Sequence, residues 1–203
     1  MDWDQMPDQP TTEETVAGLK DRNFNPLIVN DSKEALEKLK QIIPAGADVM
    51  TGASTTLEEI GFIDYLKNNQ HPWQNWKDRI FAEKDSEKQR DSRRMSTTAG
   101  FFLGSVQAIT RDGRVLGCDA TGSRQGGYVF GAKNVIWVTG INKLVSDLDM
   151  AFRRLREHCL PLEDAHIKKQ GGTGSFIGKM VIYEREVQPH RITTILIRER
   201  LGF

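Results

Sequence analysis

Two short segments combine glycine with hydroxyl, amide or ammonium side chains at the predicted end of a strand. The first is Thr51-Gly52-Ala53-Ser54-Thr55-Thr56, and the second is Thr139-Gly140-Ile141-Asn142-Lys143. In each, an apolar run ends in glycine and a new element begins, so backbone N–H groups face outward. Such groups, with nearby hydroxyl, amide or ammonium groups, can hold a phosphate or carboxylate. The predicted ligand-binding residues are Gly52, Ser54, Thr55, Asn142 and Lys143.

A glycine-rich segment between them, residues 119–127, adds one acid and one arginine among hydrophobic strands. Loops of this kind often form sites when a rigid sheet supports them. We predict that Gly122 and Arg124 also bind the ligand and that Asp119 serves as a general base. A wide turn held by an Asp119–Arg124 pair is the structural alternative.

Glu59 is the second candidate catalytic acid, as a base or as a carboxylate nucleophile. Thr56-Leu57-Glu58-Glu59 also has the spacing of a helix capping box, which would occupy the Glu59 side chain in structure instead. The hydroxyls of Ser54 and Thr55 can equally cap this helix, and Lys143 can equally be a surface lysine. These alternatives stay open at the level of sequence.

Several other chemistries lack their motifs. The sequence has no GxSxG elbow of a serine hydrolase and no GxGxxG dinucleotide fingerprint after a predicted strand. Its four histidines show no HxxxH or HxH spacing, and its two cysteines, Cys118 and Cys159, form no CxxC pair. We therefore expect no metal site and no bound cofactor.

The elements that must position these residues alternate between strand and helix in the first third of the chain. Apolar residues at 35, 36, 39, 42 and 43 have helical spacing, while Leu27–Val29 and Ala47–Thr51 are short strand-like runs. Thr11 or Thr12 is predicted to cap a helix before them, and Thr56 to cap one that runs toward Leu66. Strands separated by helices of this length predict a parallel sheet with right-handed crossovers.

The rest of the chain predicts further strands and two connecting regions. Residues 68–96 are interpreted as a connection and one exposed helix, because the charges from Glu83 to Arg94 alternate in sign. Asp112-Gly113 predicts a hairpin turn, and Val135–Thr139 predicts a strand buried on both faces. Ser146-Asp147 should cap a helix, and strands are expected at 180–183 and 192–197.

Composition restricts the classes of partner and compartment. Lys plus Arg and Asp plus Glu each number 28 in a chain of 203 residues, so the net charge is zero and nucleic acid is not an expected partner. No apolar run approaches the roughly 20 residues that span a membrane, and the N-terminus is acidic. Two isolated cysteines fit a reducing compartment, so we expect a cytoplasmic protein with no membrane partner. Residues 1–10 are predicted to form a flexible tail.

Taken in order, four segments resemble the LUD-domain family of lactate utilisation proteins. They are Gln107–Gly113, the Asp119-x-x-Gly-x-Arg124 segment, Gly131–Lys143 and Arg198–Phe203. Gly52-Ala-Ser-Thr-Thr-Leu-Glu-Glu-Ile60 resembles the same family, so the resemblance covers residues 11–203 as one domain. It implies a Rossmann-like α/β fold with a parallel or mixed sheet flanked by helices, akin to the CoA-transferase, ribose-phosphate isomerase and glucosamine-phosphate deaminase group.

The resemblance also implies a function in bacterial lactate oxidation, in which such proteins work beside iron–sulfur partners. Because Ala165-His166-Ile167 leads into a glycine loop without cysteine, we expect no cluster on this chain. We expect a protein of lactate or related organic-acid utilisation that binds a small anionic ligand at the strand ends. An isomerase or acyl-transfer enzyme of the same fold group is one alternative. A non-catalytic subunit of an electron-transfer complex, docking through the segment Trp73–Trp76, is another.

The ligand site can be placed from the fold rule alone. In an open parallel sheet, ligands bind beyond the carboxyl ends of the strands. This rule gathers the Gly52 and Gly140 turns at one edge, with residues 119–127 closing over them. We therefore predict that Arg124 and Lys143 face a common cleft.

Overall fold

Helices alternate with short parallel strands along most of the chain, as the apolar spacing predicts. The computed structural model describes residues 2–68 and 71–203. The helices are α1 (Gln9–Asp21), α2 (Ser32–Ile42), α3 (Thr55–Glu59), α4 (Phe62–Lys67), α5 (Trp76–Ala82), α6 (Ser86–Met95), α7 (Ser123–Gly126), α8 (Leu148–Arg154) and α9 (Leu160–Lys169). The strands are β1 (Pro26–Val29), β2 (Asp48–Thr51), β3 (Gln74–Asn75), β4 (Phe101–Gly104), β5 (Ala108–Thr110), β6 (Val115–Asp119), β7 (Asn134–Gly140), β8 (Leu144–Val145), β9 (Lys179–Tyr183) and β10 (Ile192–Ile197).

In the described residues, the larger sheet has six strands in the order β1-β10-β7-β4-β2-β3. Every pairing in it is parallel, with Trp137 of β7 opposite both Thr194 and Gly104. The predicted strands at Ala47–Thr51 and Val135–Thr139 are confirmed as interior strands of one sheet, separated by β4. The carboxyl ends of β2, β4 and β7 therefore lie side by side.

A second, mixed sheet pairs β8, β5, β6 and β9. The hairpin predicted at Asp112-Gly113 is confirmed, because β5 and β6 pair antiparallel and Gly113 has a φ of +86°. The strand predicted at 180–183 belongs here as β9, antiparallel to β6. This sheet carries Asp119 at the end of β6 and so supports the glycine-rich segment beside the larger sheet.

Apolar side chains fill both faces of the larger sheet. One core holds Leu39, Leu57 and Val138 under α2 to α4. The other holds Leu19, Phe102 and Trp137 between the two sheets. Burial on both faces explains why β7 is a nearly continuous apolar run. No helix in the described ranges is long and apolar enough to cross a membrane.

The predicted helix boundaries need two corrections. The first helix begins at Gln9, because the Asp8 side chain accepts the Thr11 N–H and Pro10 occupies the first turn. The helix predicted from Thr56 to Leu66 is broken at Gly61, whose φ is +77°, and its cap is Ser54 rather than Thr56. The exposed helix predicted on the charge run is confirmed as α6, which has no buried residue.

Helix α1 packs directly on the turn between β5 and β6. A Cβ atom on Gly18 would lie 2.5 Å from the backbone carbonyl carbon of Asp112. Arg22, one turn later, donates its Nε–H to the Asp112 carbonyl at 2.7 Å. Glycine at position 18 is therefore required by close backbone approach rather than by helix preference.

We expect Gly18→Ala to lower the free energy of unfolding by about 1–3 kcal/mol, as overpacking against rigid backbone does. In a helix without this contact, the same change stabilises by roughly 0.5–1 kcal/mol. Urea denaturation shows whether Gly18→Ala lowers or raises the free energy of unfolding. Ala17→Gly, at the neighbouring exposed position, reports helix preference alone and should cost about 1 kcal/mol. A more stable Gly18→Ala variant would contradict the proposed backbone contact.

Candidate functional site

A cavity of about 480 Å³ opens at the carboxyl ends of β2 and β4. Its floor includes Gly52, Ser105 and Lys143, which come shortly after the ends of β2, β4 and β7 respectively. Arg124 of α7 and residues of α9 form its sides. Arg124 and Lys143 line this same cavity at the predicted edge of the sheet, and their binding of a ligand stays a prediction.

Lys143 is a buried residue and not the surface lysine that its sequence position also allowed. It ends a single 3-10 turn, Ile141–Lys143, and its side chain is only 2% exposed. Its Nζ donates to Thr56 Oγ1 and to Ser105 Oγ, both at 3.1 Å. Among the residues described, no carboxylate forms an ion pair with it. Burial, assisted by the positive charge of Arg154, lowers the pKa of Lys143 to about 7.

A second buried cation lies beneath this lysine. Arg154 is fully buried, and its Nη1 donates to the Gln107 carbonyl and to Cys159 Sγ, the latter at 3.0 Å. Its Nε and Nη2 have no hydrogen-bond partner in the described structure. Burial lowers the pKa of Arg154. Arg154 does not line the cavity, but its positive charge acts on Lys143 and helps to lower the pKa of that lysine.

The two cysteine thiols that line the cavity are not activated. Burial raises the pKa of Cys118 to about 11 and also raises the pKa of Cys159. Both thiols are therefore protonated near neutral pH, where only a thiolate is a strong nucleophile. Covalent chemistry by cysteine has no support here.

Asp119 and Arg124 form a clamp that holds the glycine-rich segment over the sheet. Asp119 Oδ1 pairs with Arg124 Nη2 at 3.0 Å, and Oδ2 accepts the backbone N–H groups of Arg124 and Gln125. Arg124 also donates to the carbonyls of Ala53 and Cys118. Both Asp119 oxygens are thus occupied, as in the structural alternative, and its role as a general base stays a prediction.

Arg124 has less free charge and fewer free hydrogen-bond donors for a ligand than an unpaired arginine would have. Its side chain lies on Gly52, where a Cβ atom would come within 2.6 Å of Arg124 Cδ. Asp119 neutralises it, and three of its N–H groups donate to protein oxygens. Its Nε is buried without a hydrogen-bond partner among the described residues.

The other predicted site residues separate into two groups. Ser54 and Thr55 line the cavity, and Ser54 also accepts the Leu57 N–H as the cap of α3. Gly122, Asn142 and Glu59 do not form its wall. Gly122 starts α7 in a left-handed conformation, with a φ of +87°. The ligand contacts predicted for Gly122 and Asn142 and the catalytic role predicted for Glu59 stay predictions, but the structure does not bring these residues to the cavity wall.

Asn142 and Glu59 instead hold a segment that covers Lys143. Asn142 Oδ1 accepts the Leu201 N–H at 3.1 Å, and Glu59 Oε2 accepts the Gly202 N–H at 2.6 Å. A Cβ atom on Gly202 would lie 3.0 Å from Lys143 Nζ. The capping box that was the alternative for Glu59 is wrong, since Ser54 caps α3.

Sequence analysis missed Thr56 and Ser105 as polar partners of Lys143. Their hydroxyl oxygens are 3.4 Å apart, and both residues are buried. Ser105 follows an apolar run that ends in glycine, Phe101–Gly104, which is the same signal that marked Gly52 and Gly140. The apolar rim was also missed, where Phe81 and Phe176 line the cavity and are each about two-thirds exposed.

The tryptophan segment predicted as a docking surface is mostly buried. Trp73 is 7% exposed, and its Nε1 donates to the Ile43 carbonyl. Trp76 is partly buried, and its Nε1 donates to Asp48 Oδ2 at 2.9 Å. The predicted exposure is therefore wrong for Trp73, whereas Trp76 is partly exposed, and docking through this segment stays a prediction. In residues 2–68 and 71–203, no group of three or more His, Cys, Asp or Glu could hold a metal ion.

Comparisons with known proteins agree with this architecture. The family model described as LUD domain matches residues 12–197. A crystal structure of a DUF162 family protein from Deinococcus radiodurans is similar in fold, with a TM-score of 0.55 and 11% sequence identity. The similarity covers 93% of this chain and 96% of that one. No curated protein matches the sequence. Because the family model spans nearly the whole chain, the protein belongs to the LUD domain family.

Proposed function

We propose that this LUD-domain protein binds a small organic anion, lactate or a related organic acid, in the cavity at Lys143. The anionic end would lie against Lys143 and the free Nε–H of Arg124. This is the function that the site supports best, and it agrees with the lactate utilisation implied by the sequence resemblance. The iron–sulfur partners implied by the same resemblance are proposed with it.

The observation that carries the proposal is an ammonium group without a counter-ion. Lys143 is almost fully buried and contacts two neutral hydroxyls, with no ion pair in the described structure. A buried charge costs free energy unless it is paired. An anion in the cavity would supply the missing partner, and the cationic Arg154 below makes the local potential more positive.

The cavity also restricts the body of the ligand. At about 480 Å³ it falls in the usual range for small-molecule sites, and lactate alone would fill only part of it. Phe81, Leu160, Phe176 and Ile177 give it apolar walls. An organic acid with an apolar or extended body would use these walls, whereas a compact inorganic anion would not.

The pH dependence of lactate binding tests the proposal. Burial and the cations Arg154 and Arg124 lower the pKa of Lys143 to about 7, while Cys159 and Glu59 act in the opposite direction. Only the protonated amine attracts an anion, so lactate should bind about tenfold more weakly at pH 8 than at pH 6. Isothermal titration calorimetry at the two pH values measures this ratio.

Neutral lactamide is the matched ligand and should show neither the affinity nor the pH effect. Lys143→Ala or Arg124→Ala should weaken lactate binding by about 1.5–3 kcal/mol, the worth of a charged hydrogen bond. Lactate binding that is equally strong at both pH values and unaffected by Lys143→Ala would overturn the proposal. A thermal-shift screen with CoA esters and sugar phosphates would then identify other anions, since a ligand at a hundredfold its Kd stabilises by about 2.7 kcal/mol.

Catalysis is the second candidate function, as an isomerase or acyl-transfer activity of the same fold group. It is favoured by one observation, a buried amine at Lys143 that contacts two hydroxyls and no carboxylate, where burial lowers its pKa to about 7. A lysine of this kind can accept a proton or act as a nucleophile at neutral pH. Turnover of a carbonyl-containing acid that is lost in Lys143→Ala would support this candidate.

A further inference from the structure

The amine of Lys143 has the surroundings that make a lysine nucleophilic. It is desolvated, it lies near a second cation, Arg154, and it contacts hydroxyls instead of carboxylates. These are the conditions under which lysines form Schiff bases with carbonyl compounds. We propose that Lys143 forms a reversible imine with the carbonyl carbon of a 2-oxo acid bound in the cavity. This proposal rests on the proposed anion site and specifies the class of its ligand.

Two hydroxyls are placed to move the protons of this reaction. Thr56 Oγ1 and Ser105 Oγ each lie 3.1 Å from Nζ and 3.4 Å from each other. A hydroxyl both donates and accepts, so it can take a proton from the attacking nitrogen and pass one to the departing oxygen. A lysine held by two carboxylates would stay protonated, and its nitrogen would have no free electron pair.

The atoms of the step balance without any further reactant. The neutral Nζ attacks the carbonyl carbon, a C–N bond forms, the carbonyl π electrons move to oxygen, and one of the two nitrogen protons is passed to that oxygen. The resulting carbinolamine breaks its C–O bond and loses the hydroxyl as water with the second nitrogen proton, while the nitrogen electron pair forms the C=N bond. The net reaction is ketone plus amine giving imine plus water, with no oxidation or reduction.

The carboxylate of a 2-oxo acid would have a donor close to the lysine. Arg124 Cδ lies 3.5 Å from the position of a Cβ atom on Gly104, and Ser105, the next residue, contacts Lys143 Nζ. The two cations therefore flank the end of β4. Arg124 Nε is buried and unpartnered among the described residues. We expect a ligand with its carboxylate next to its carbonyl to place the carbonyl at Lys143 and the carboxylate toward Arg124, whereas a simple ketone has no group for the second cation.

Pyruvate trapping with sodium cyanoborohydride tests the proposal on the intact protein. Mass spectrometry should show one reduced pyruvate adduct per chain, and peptide mapping should place it on Lys143. Lactate, which has a hydroxyl instead of the carbonyl, should give no adduct. Lys143→Met should lose the adduct, while Lys133→Met, at an exposed lysine, should keep it.

The pH profile adds a second readout. Adduct yield should rise about fivefold or more from pH 6 to pH 8, as the neutral fraction of an amine with a pKa of about 7 grows. Lactate affinity should fall over the same interval. A merely structural lysine would show neither trend.

The outcomes separate this proposal from the anion site. If pyruvate and lactate both bind and no adduct forms on Lys143, the imine is overturned and the anion site stands. If neither anion binds and no adduct forms, both proposals fail. Adducts spread over exposed lysines, and equal in amount in Lys143→Met, would also overturn the imine. Peptide mapping of the adduct on the wild-type chain tests the imine at Lys143 even if Lys143→Met does not fold.

Discussion

Asp119→Ala should lower the free energy of unfolding by about 3–5 kcal/mol, the cost of breaking a buried ion pair from one side. The side chains of Asp119 and Arg124 are 13% and 14% exposed, and their atoms meet at 3.0 Å. The alanine variant leaves the guanidinium buried without its counter-ion. It also removes the acceptor of two backbone N–H groups, those of Arg124 and Gln125. Urea denaturation at pH 7 measures the loss.

An exposed Arg–Asp pair provides the matched control. Arg94 and Asp91 lie one turn apart on α6, with side chains more than half exposed. Asp91→Ala should cost at most about 1 kcal/mol, as solvent screens such pairs. If Asp119→Ala were no more costly than Asp91→Ala, the clamp would not exist. A stable Asp119→Ala variant that lost turnover would instead support the predicted general base.

Lys143→Met should make the protein more stable below pH 7, by up to about 4–5 kcal/mol. The pKa of Lys143 is about 7 in the folded protein and about 10.4 in the unfolded chain. The unfolded chain therefore binds the extra proton between these values. The resulting cost to folding is fully present below pH 7 and vanishes above about pH 10. Methionine has a similar length and carries no charge.

Denaturation of both proteins from pH 6 to pH 10 measures this difference. The stability gap should be largest at pH 6 and should close by about 1.4 kcal/mol for each pH unit above 7. Lys143→Arg, which cannot lose its proton, should be destabilised throughout the range. A Lys143→Met variant that is less stable than wild type at pH 6 would contradict the prediction, because it would show that the protein stabilises the charged lysine.

This second prediction bears on function as well as stability. A residue that costs several kcal/mol is retained only where it does something else, because the folded state has little stability to lose. At Lys143 the compensating gain would be ligand binding or imine formation. Lys143→Met should therefore gain stability and lose ligand binding, as is expected when a destabilising residue at an active or binding site is replaced.

Local pattern in the sequence determined much of the framework. Apolar runs that end in glycine predicted β2 and β7 as interior parallel strands, and Asp112-Gly113 predicted the β5–β6 turn. These features depend on a few neighbouring residues, because two-sided burial requires a continuous apolar run and a tight turn requires particular residue types. The edge of the sheet that carries the cavity followed from the parallel order alone.

Tertiary structure decided the chemistry at that edge. The strand order places β4 between β2 and β7, which brings Ser105 to Lys143 across 38 positions and Thr56 across 87. The sequence around Lys143 allowed both a ligand-binding lysine and a surface lysine. Only the packing of α3, α7 and residues 201–203 around it removes water and lowers its pKa. Whether a side chain is buried, and whether it has a counter-ion, depends on residues that are distant in the sequence. A short segment of sequence therefore cannot show either property.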